Sequence, residues 1–406
     1  MPARRNILLV TVDQWRGDCL SALGHPVVRT PNLDRLAAEG VLFSAHFAQA
    51  APCGPSRASL FTGTYAHNHR SVLNGTPLDA RFTNLALEAR ALGYDPVLFG
   101  YTDTSVDPRT VAPDDPRLST YEGVLPGFHA VVDLPEHLEA WARWLIDLGY
   151  DVPANRRELY RPAGDEPAAA TVYAAEHTEA AFLTGELLRW LDDGAGAAPW
   201  FAHAAYIRPH PPFVAPSPYN TMYDPESVPM PVRHATREDE AEQHAFLAGA
   251  LSIDGVRAPR DDGDLRQLRA TYYGMMSEVD AQIGRLFDGL RARELWDDTL
   301  VVVTSDHGEQ LGDHWLVEKL GWFDSSYRIP LVVRDPSPEA DATRGRVVDA
   351  FTENVDVMPT ILEWLAADVP VQCDGRSLLP WLHGATPSSW RDAVFWEFDF
   401  RDPVGA

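Results

Sequence analysis

Two carboxylates and an imidazole directly follow apolar runs that the sequence predicts as buried strands. Asp13 ends the first run, and Asp306 and His307 follow a later one. A carboxylate at the end of a buried strand is costly unless it meets a cation or hydrogen-bond donors. An adjacent aspartate and histidine on a sharp turn can present an oxygen and a nitrogen to one ion, and Gly308 lets the backbone approach closely. Asp306 and His307 could therefore hold a metal ion or form a surface turn, and Asp13 could meet a cation or cap a helix.

Other candidate groups are a cysteine, an arginine, a histidine and a lysine. Cys53 and Arg57 flank Pro55 at fixed spacing, just ahead of an apolar helical run. His210 is locked between prolines, and its restricted backbone favours a fixed hydrogen-bond donor over a mobile surface residue. Lys319 stands alone, and a lone lysine is usually solvent-exposed. From the residues alone, Cys53 could instead be a buried structural cysteine. His210 could instead be a packing residue.

The elements around these residues alternate between strands and helices. The predicted strands are 6–12, 41–48, 95–101, 200–207, 299–304, a stretch from 329, and an unpaired last strand at 395–402. The predicted helices include 30–40, 84–92, 356–365 and a long amphipathic helix over 264–295. Strands without polar alternation are typical of parallel sheets covered on both faces. The sequence therefore predicts an α/β fold with a doubly wound, mostly parallel central sheet flanked by helices, whose strand C-terminal ends carry the chemistry.

Length, charge and cysteine content narrow the classes of protein. The 406 residues predict one large domain with a subdomain, or two domains. A net charge of −25 argues against nucleic acid as a partner and requires a locally positive pocket for an anionic substrate. Three cysteines cannot build a disulfide framework and suit a reducing compartment. Since the first apolar run is too short for export or for spanning a membrane, we expect a cytoplasmic location and no membrane partner.

Two motifs carry a resemblance to a known family. The pentapeptide Cys-Gly-Pro-Ser-Arg at 53–57 resembles the Cys-x-Pro-x-Arg signature of formylglycine-dependent sulfatases and of the related phosphonate monoester hydrolases. Asp-His-Gly at 306–308 resembles a marker of the alkaline phosphatase superfamily, to which the sulfatases belong. The resemblance runs along nearly the whole chain. It implies that Cys53 is oxidised to formylglycine by a formylglycine-generating enzyme or an equivalent, and that the aldehyde hydrate is the nucleophile.

The resemblance also implies roles for the other candidates. A single ion is expected, since the one Asp-x-x-x-His spacing that could serve a second ion, Asp133 to His137, lies far from the motif loops. Imidazole among the ligands favours Mn²⁺, with the oxygen-preferring Ca²⁺ as the alternative. Arg57 and Lys319 would stabilise charge on the transferred group, and His210 would protonate the leaving oxygen. The implied metal ligands are Asp13, the modified Cys53, Asp306 and His307.

Several stretches favour the phosphonate monoester hydrolases over ordinary sulfatases. Where typical sulfatases have a Lys-Trp-His motif, this chain has Tyr101, Thr102 and Asp103, which predict a less positive pocket that suits a monoanionic ester. Asp103 replaces a threonine of the subgroup and would repel an anion unless it is protonated, turned away or paired. The predicted substrate-binding residues are Gln14, Asn74, Tyr101 and Asp103.

The resemblance predicts a catalytic domain at 1–384 and, at 385–406, the start of a C-terminal subdomain whose remainder is missing. It leaves a homo-oligomer open. The expected activity is hydrolysis of a small anionic ester, namely a phosphonate monoester, a phosphodiester or a sulfate ester. One alternative is a sulfatase for small aryl or choline-type esters. The other, from a different class, is an inactive superfamily member that binds a ligand.

Overall fold

One mixed sheet organises the chain. The computed structural model describes residues 5–135, 138–194 and 199–399. The strands found there are β1 (Asn6–Val12), β2 (Val41–Phe47), β3 (Val97–Gly100), β4 (His129–Asp133), β5 (Phe201–Tyr206), β6 (Thr299–Ser305), β7 (Arg328–Arg334), β8 (Arg346–Val348) and β9 (Thr352–Glu353). They are arranged in the order β4-β3-β5-β1-β6-β7-β2-β8, and β9 also pairs with β2.

Most neighbouring strands are parallel, and β7 alone among the described strands runs antiparallel to both of its neighbours. The predicted doubly wound, mostly parallel sheet is therefore confirmed. Strand β4 was not predicted from the sequence because it lies at the edge of the sheet. Only one of its five residues is buried, so the apolar run that marks a central strand is absent there.

Helices cover both faces of the sheet. In the described residues they are α1 (Pro31–Glu39), α2 (Cys53–Thr62), α3 (Ala66–His69), α4 (Leu85–Ala91), α5 (Glu139–Asp147), α6 (Glu179–Asp192), α7 (Arg237–Ala241), α8 (Ala245–Ala250), α9 (Asp262–Ala292), α10 (Asp324–Tyr327), α11 (Val357–Trp364) and α12 (Leu379–Leu382). Side chains of β1 alternate between two apolar clusters: Leu8 and Val10 pack with α1, α5, α6 and α9, while Ile7 and Leu9 pack with α2, α4, α11 and α12. The two-faced core explains why β1 carries no polar alternation.

The long amphipathic helix is confirmed with slightly different ends. It starts two residues earlier than predicted because the Asp261 side chain caps it, accepting hydrogen bonds from Gly263 N at 2.8 Å and Asp264 N at 3.0 Å. None of the helices in the described ranges has the length and apolar character that a membrane span needs.

The C-terminal segment differs from the prediction. Residues 395–399 form no regular strand, and Glu397 is not unpaired, since it bridges to Ala50 and donates its backbone N–H to Gln49 O at 2.8 Å. Residues 400–402 of the predicted strand lie outside the described residues, as does His137 of the Asp-x-x-x-His spacing that was set aside as a second metal site. The domain boundary at 384 stays a prediction.

Candidate active site

The sheet register brings the two predicted aspartates together. Val12, the last residue of β1, lies opposite Tyr206 of β5 and Ser305 of β6. The residues that follow these parallel strands must therefore meet at the C-terminal ends of the strands. Asp306 Oδ1 accepts the backbone N–H of Gln14 at 3.1 Å, which ties the end of β1 to the end of β6.

Helix α2 places Cys53 near the C-terminal ends of these strands. Cys53 is the first residue of the helix, and Asn74 Oδ1 accepts the N–H of Gly54 at 2.8 Å. Ser56 Oγ hydrogen-bonds the carbonyl of Asp306, and Asn354 Nδ2 donates to Ser56 Oγ at 3.0 Å. The first turn of α2 is thus tied to the end of β6. Sequence reasoning missed Asn354, because a single buried amide carries no pattern.

The four predicted metal ligands meet at one point. Asp13, Cys53, Asp306 and His307 are all buried, and each offers a ligand atom within 4.8 Å of the others. Cys53 Sγ lies 3.1 Å from His307 Nε2. His307 Nδ1 is 3.0 Å from Gly308 O, which can only accept, so Nδ1 carries the hydrogen and the lone pair of Nε2 faces the cluster.

One buried atom in this cluster lacks a protein partner. Asp13 Oδ1 accepts no hydrogen bond from the described residues. A buried carboxylate oxygen without a donor is costly, and a cation at the centre of the cluster would satisfy it. Two carboxylates and an imidazole nitrogen form a donor set that fits a divalent transition-metal ion. The residues present therefore fit a divalent metal ion.

Arg57 holds the two aspartates in place. Its Nε donates to Asp306 Oδ2 at 3.0 Å, its Nη2 to Asp13 Oδ2 at 3.3 Å and its Nη1 to Tyr101 O at 3.1 Å. The guanidinium also stacks over the Tyr101 ring at 4.1 Å, and the Tyr101 hydroxyl hydrogen-bonds Asp13. Burial alone would raise the pKa of Asp306, but His307 and Arg57 hold that pKa well below its usual range.

Asp103 approaches the same guanidinium without a hydrogen bond. Its Oδ2 lies 3.8 Å from Arg57 Nε, within ion-pair distance but beyond hydrogen-bond distance. The residue is 8% exposed and has a left-handed backbone, with φ of 48°. Burial raises the pKa of Asp103 to about 8. Asp103 therefore lies inside the site beside Arg57, and its raised pKa favours the protonated form, which does not repel an anion, at neutral pH.

Lys319 is buried, unlike most lone lysines, and belongs to a polar network. Its Nζ donates to Gln14 Oε1 at 3.1 Å and to Glu318 Oε2 at 3.1 Å. The Gln14 amide donates in turn to Glu309 and, at 3.3 Å, to Glu318. Burial raises the pKa of Glu309 to about 8, and Glu318 adds to this effect. Sequence reasoning missed the roles of both glutamates, since acids in a loop carry no periodic signal.

His210 is arranged as an acceptor. Its Nδ1 lies 2.8 Å from Pro211 O, which can only accept, so Nδ1 carries the hydrogen. Its Nε2 lies 3.4 Å from Lys319 Nζ, a group that can only donate. Removal from water, with Lys319 nearby, lowers the pKa of His210 to about 4. His210 is therefore neutral here and faces Lys319, and its predicted role as proton donor to the leaving oxygen stays a prediction.

A buried ion pair fixes the loop that carries His210. Arg208 Nη1 donates to His210 O at 2.6 Å and to Pro212 O at 2.7 Å. Arg208 Nε donates to Glu179 Oε1 at 2.8 Å, and both side chains are buried. This ion pair was not predicted from the sequence because Glu179 lies on α6, far from Arg208 along the chain.

All the predicted catalytic and metal-binding residues thus come together at the C-terminal ends of the central strands. Of the predicted substrate-binding residues, Gln14 and Tyr101 use their side chains in internal hydrogen bonds, and Asn74 orients Gly54. Substrate contact by these three residues and by Asp103 stays a prediction.

Comparisons with known proteins agree with this arrangement. The family model described as Sulfatase matches residues 5–367. The multifunctional alkaline phosphatase superfamily protein PehA of Trinickia caryophylli is 44% identical over 419 residues, covering 98% of this chain and 81% of that protein. The solved phosphonate monoester hydrolase of Agrobacterium radiobacter is 49% identical, with a TM-score of 0.94 over 99% of this chain and 81% of that chain.

A second solved structure is equally close in fold. The phosphonate monoester hydrolase SpPMH from Silicibacter pomeroyi is 43% identical, with a TM-score of 0.93 over 99% of this chain and 81% of that chain. The family match spans most of the sequence, and the relatives resemble this chain over nearly its whole length. This chain belongs to the sulfatase family.

Proposed function

We propose that this protein is a hydrolase of phosphonate monoesters and phosphodiesters, with sulfate esters as further substrates. The observation that carries the proposal is the convergence of Asp13, Cys53, Asp306 and His307 within 4.8 Å, with Arg57 bonded to both aspartates. Two relatives that are 49% and 43% identical are named as phosphonate monoester hydrolases, which supports the phosphorus ester class. The presence of every predicted catalytic group argues against an inactive binding protein.

The proposed cofactors are formylglycine at position 53 and one divalent ion held by Asp13, residue 53, Asp306 and His307. We favour Mn²⁺ over Ca²⁺ because one of the ligands is an imidazole. When bound, the ion supplies Lewis-acid polarisation of an ester oxygen, and the hydrate of formylglycine supplies the nucleophilic hydroxyl.

Arg57 has two functions in this proposal. Its bonds to Asp13 and Asp306 orient the ligand oxygens, and its remaining N–H groups can bind an oxygen of the transferred group. Fixed donors aimed at developing negative charge are a large source of rate enhancement in a buried site. Arg57 is fully buried, so water does not weaken these interactions.

We assign the proton for the leaving oxygen to Lys319. Burial alone would lower the pKa of Lys319, but Cys53, Glu318 and Asp13 raise it above its usual value. The contribution of Cys53 is lost when residue 53 is formylglycine, whereas the carboxylates of Glu318 and Asp13 still favour a protonated Nζ. His210 Nε2 faces this ammonium and orients it. A departing alkoxide is basic enough to take a proton from such a group.

Conversion of Cys53 would need a formylglycine-generating enzyme or an equivalent. Cys53 is 4% exposed, so the modifying enzyme would have to reach the chain before α2 packs. A cytoplasmic location and a homo-oligomer stay predictions.

The first test is mass spectrometry of the tryptic peptide 36–57 from active protein. We expect the sulfur of Cys53 to be replaced by an aldehyde oxygen, with loss of activity in Cys53→Ala. Retention of all the sulfur in active protein would rule formylglycine out.

The second test compares kcat/KM for 4-nitrophenyl phenylphosphonate, bis(4-nitrophenyl) phosphate and 4-nitrophenyl sulfate. We expect the phosphonate monoester and the phosphodiester to be the better substrates. A higher kcat/KM for the sulfate would instead identify the protein as a small-molecule sulfatase.

A further inference from the structure

The backbone at Gln14 adopts a conformation that glutamine disfavours. Its φ is 65°, in the left-handed region that residues other than glycine rarely occupy. Gln14 is fully buried and directly follows Asp13, one of the proposed metal ligands. Such strain persists only where the surrounding structure fixes it, and it often occurs at functional positions.

The side chain of Gln14 shows what this conformation positions. Its Oε1 accepts a hydrogen bond from Lys319 Nζ at 3.1 Å. Its amide nitrogen donates to Glu309 and, at 3.3 Å, to Glu318 Oε2, which also accepts from Lys319. Because these contacts all depend on the direction of one side chain, a rotation of the backbone at Gln14 would break them together.

Two acceptors at the end of β6 hold N–H groups of this turn. Asp306 Oδ1 accepts the N–H of Gln14 at 3.1 Å, and Ser305 Oγ accepts the N–H of Trp15 at 2.9 Å. The carbonyl group of Gln14 faces another element, helix α9. Since a buried carbonyl group needs a donor, the residue that α9 offers there helps to fix the turn.

Tyr272 on α9 supplies that donor. Its hydroxyl group donates to Gln14 O at 2.7 Å and accepts the N–H of Arg16 at 3.0 Å, so one oxygen atom closes the turn on both sides. Tyr272 is fully buried, and burial raises the pKa of its hydroxyl group well above the usual value, which keeps the donor protonated. The ring packs edge-on against Phe213, in the loop that carries His210, with ring centroids 6.0 Å apart.

We propose that Tyr272 is a positioning residue, whose hydroxyl group holds the turn at Gln14 so that the Gln14 amide directs the Lys319 ammonium towards the leaving oxygen. This inference rests on the proposed function, since it concerns proton delivery in the same reaction. A residue that only packs α9 against the sheet would need the ring alone. The test therefore removes the hydroxyl oxygen and keeps the ring.

The first experiment is Tyr272→Phe. We expect kcat for an alkyl ester, whose leaving group needs a proton, to fall by roughly 10- to 50-fold with KM little changed, and kcat for a 4-nitrophenyl ester to fall much less. The dependence of kcat/KM on the pKa of the leaving group should become steeper. An equal loss on both esters, or no loss on either, would overturn the inference.

The matched control is Tyr223→Phe. Tyr223 is also buried, and its hydroxyl group accepts the N–H of Arg29 at 2.8 Å and hydrogen-bonds Ser277 Oγ at 2.6 Å. The control therefore loses the same atom and the same number of hydrogen bonds, but none to the turn at Gln14. We expect Tyr223→Phe to keep the leaving-group dependence of the unaltered protein. A steeper dependence in the control would mean that lost stability alone changes the reaction, and the inference would fail.

A double-mutant cycle with Gln14→Ala tests the route of the effect. Without the Gln14 side chain, Tyr272→Phe should no longer change the leaving-group dependence. If the effects of the two changes add instead, Tyr272 acts by a path other than Gln14 and the inference is wrong.

Gln14→Asn keeps the inference falsifiable if Tyr272→Phe does not fold, as judged by circular dichroism. Asparagine tolerates a positive φ, but its side chain is one carbon shorter and should lose contact with Lys319. We expect a steeper leaving-group dependence. An unchanged dependence would show that Gln14 does not orient Lys319, which would contradict the inference.

A crystal structure of Tyr272→Phe separates this inference from the proposed function, because it needs no turnover. If the metal-replete, unaltered protein hydrolyses none of the esters, the proposed function fails. The positioning role would still be supported if Gln14 Oε1 has moved beyond hydrogen-bond distance of Lys319 Nζ in the variant. A contact kept at 3.1 Å would contradict it.

Discussion

The two sides of the active site are built in different ways. The metal side consists of Asp13, Cys53, Arg57, Asp306 and His307, and the proton side consists of Gln14, His210, Glu318 and Lys319. Residues of the metal side lie at strand ends or on α2, and the register of β1 with β6 fixes their positions. Most residues of the proton side lie on loops, and they hold one another through contacts of 3.1–3.4 Å.

This difference separates two parts of the proposed reaction. The sheet fixes the metal side, so we expect that side to set which bond is attacked. The loops carry the proton side, and a neutral His210 beside the Lys319 ammonium suits the delivery of a proton to the leaving group. Variants on the two sides should therefore differ in how strongly their effects depend on the leaving group.

The largest effect is expected on the metal side, from Asp306→Asn. The change removes a charged ligand and weakens the acceptor of Arg57 Nε, so we expect bound metal to be lost and kcat/KM to fall by roughly 10²- to 10³-fold or more for every ester. Metal content by mass spectrometry and kinetics with two leaving groups would measure this.

The matched control for that variant is Asp297→Asn, at the opposite end of β6. Asp297 is exposed and pairs with Arg334 at 3.3 Å, so its loss should leave both metal content and activity unchanged. Full metal occupancy in Asp306→Asn would show that this carboxylate is not a ligand.

A smaller and more selective effect is expected on the proton side, from Lys319→Met. Loss of the ammonium should lower kcat by about 10²-fold or more for an alkyl ester, whose leaving group needs a proton, and by much less for a 4-nitrophenyl ester. The measurement is the dependence of kcat/KM on the pKa of the leaving group, which should become steeper.

Glu318→Gln is the control for that variant, because it removes the partner at 3.1 Å but keeps the lysine. Its dependence on the leaving group should change much less than that of Lys319→Met, because the ammonium is still present. An equal loss on both esters in Lys319→Met would mean that the lysine binds the transferred group and does not donate the proton.

The same division explains what could be predicted from the sequence. Asp13 and Asp306 each follow an unbroken apolar run, and adjacent parallel strands must bring such residues together. His307 directly follows Asp306, and the signature at 53–57 identified the fourth ligand, Cys53. The metal side and the central sheet were therefore predictable.

The contacts of the proton side were not predictable in the same way. Glu309 and Glu318 lie in a loop without periodicity, and their contacts with Gln14 depend on the folded chain. The tautomer of His210 depends on the carbonyl of Pro211, which the sequence does not orient. Two peripheral features were also not predicted. Strand β4 is mostly exposed and carries no apolar run, and Glu397 forms its bridge with Ala50, a residue distant in sequence.

The smallest effect that we expect comes from Glu179→Gln, which weakens the Glu179–Arg208 ion pair that supports the His210 loop. Glu179 anchors Arg208, which holds the carbonyl groups of His210 and Pro212, so a weaker ion pair should let His210 drift from Lys319. We expect kcat to fall by about tenfold with KM little changed, as is common for residues that orient an active group. A steeper leaving-group dependence, in the direction of Lys319→Met, would identify Glu179 as a positioning residue.

The matched control is Glu186→Gln on the same helix. Glu186 pairs with Arg189 at a distance of 2.6 Å, and this pair is not part of the active site. A lower melting temperature in Glu179→Gln with an unchanged leaving-group dependence would instead mean that the ion pair only stabilises the fold, and that the loop holds His210 without it.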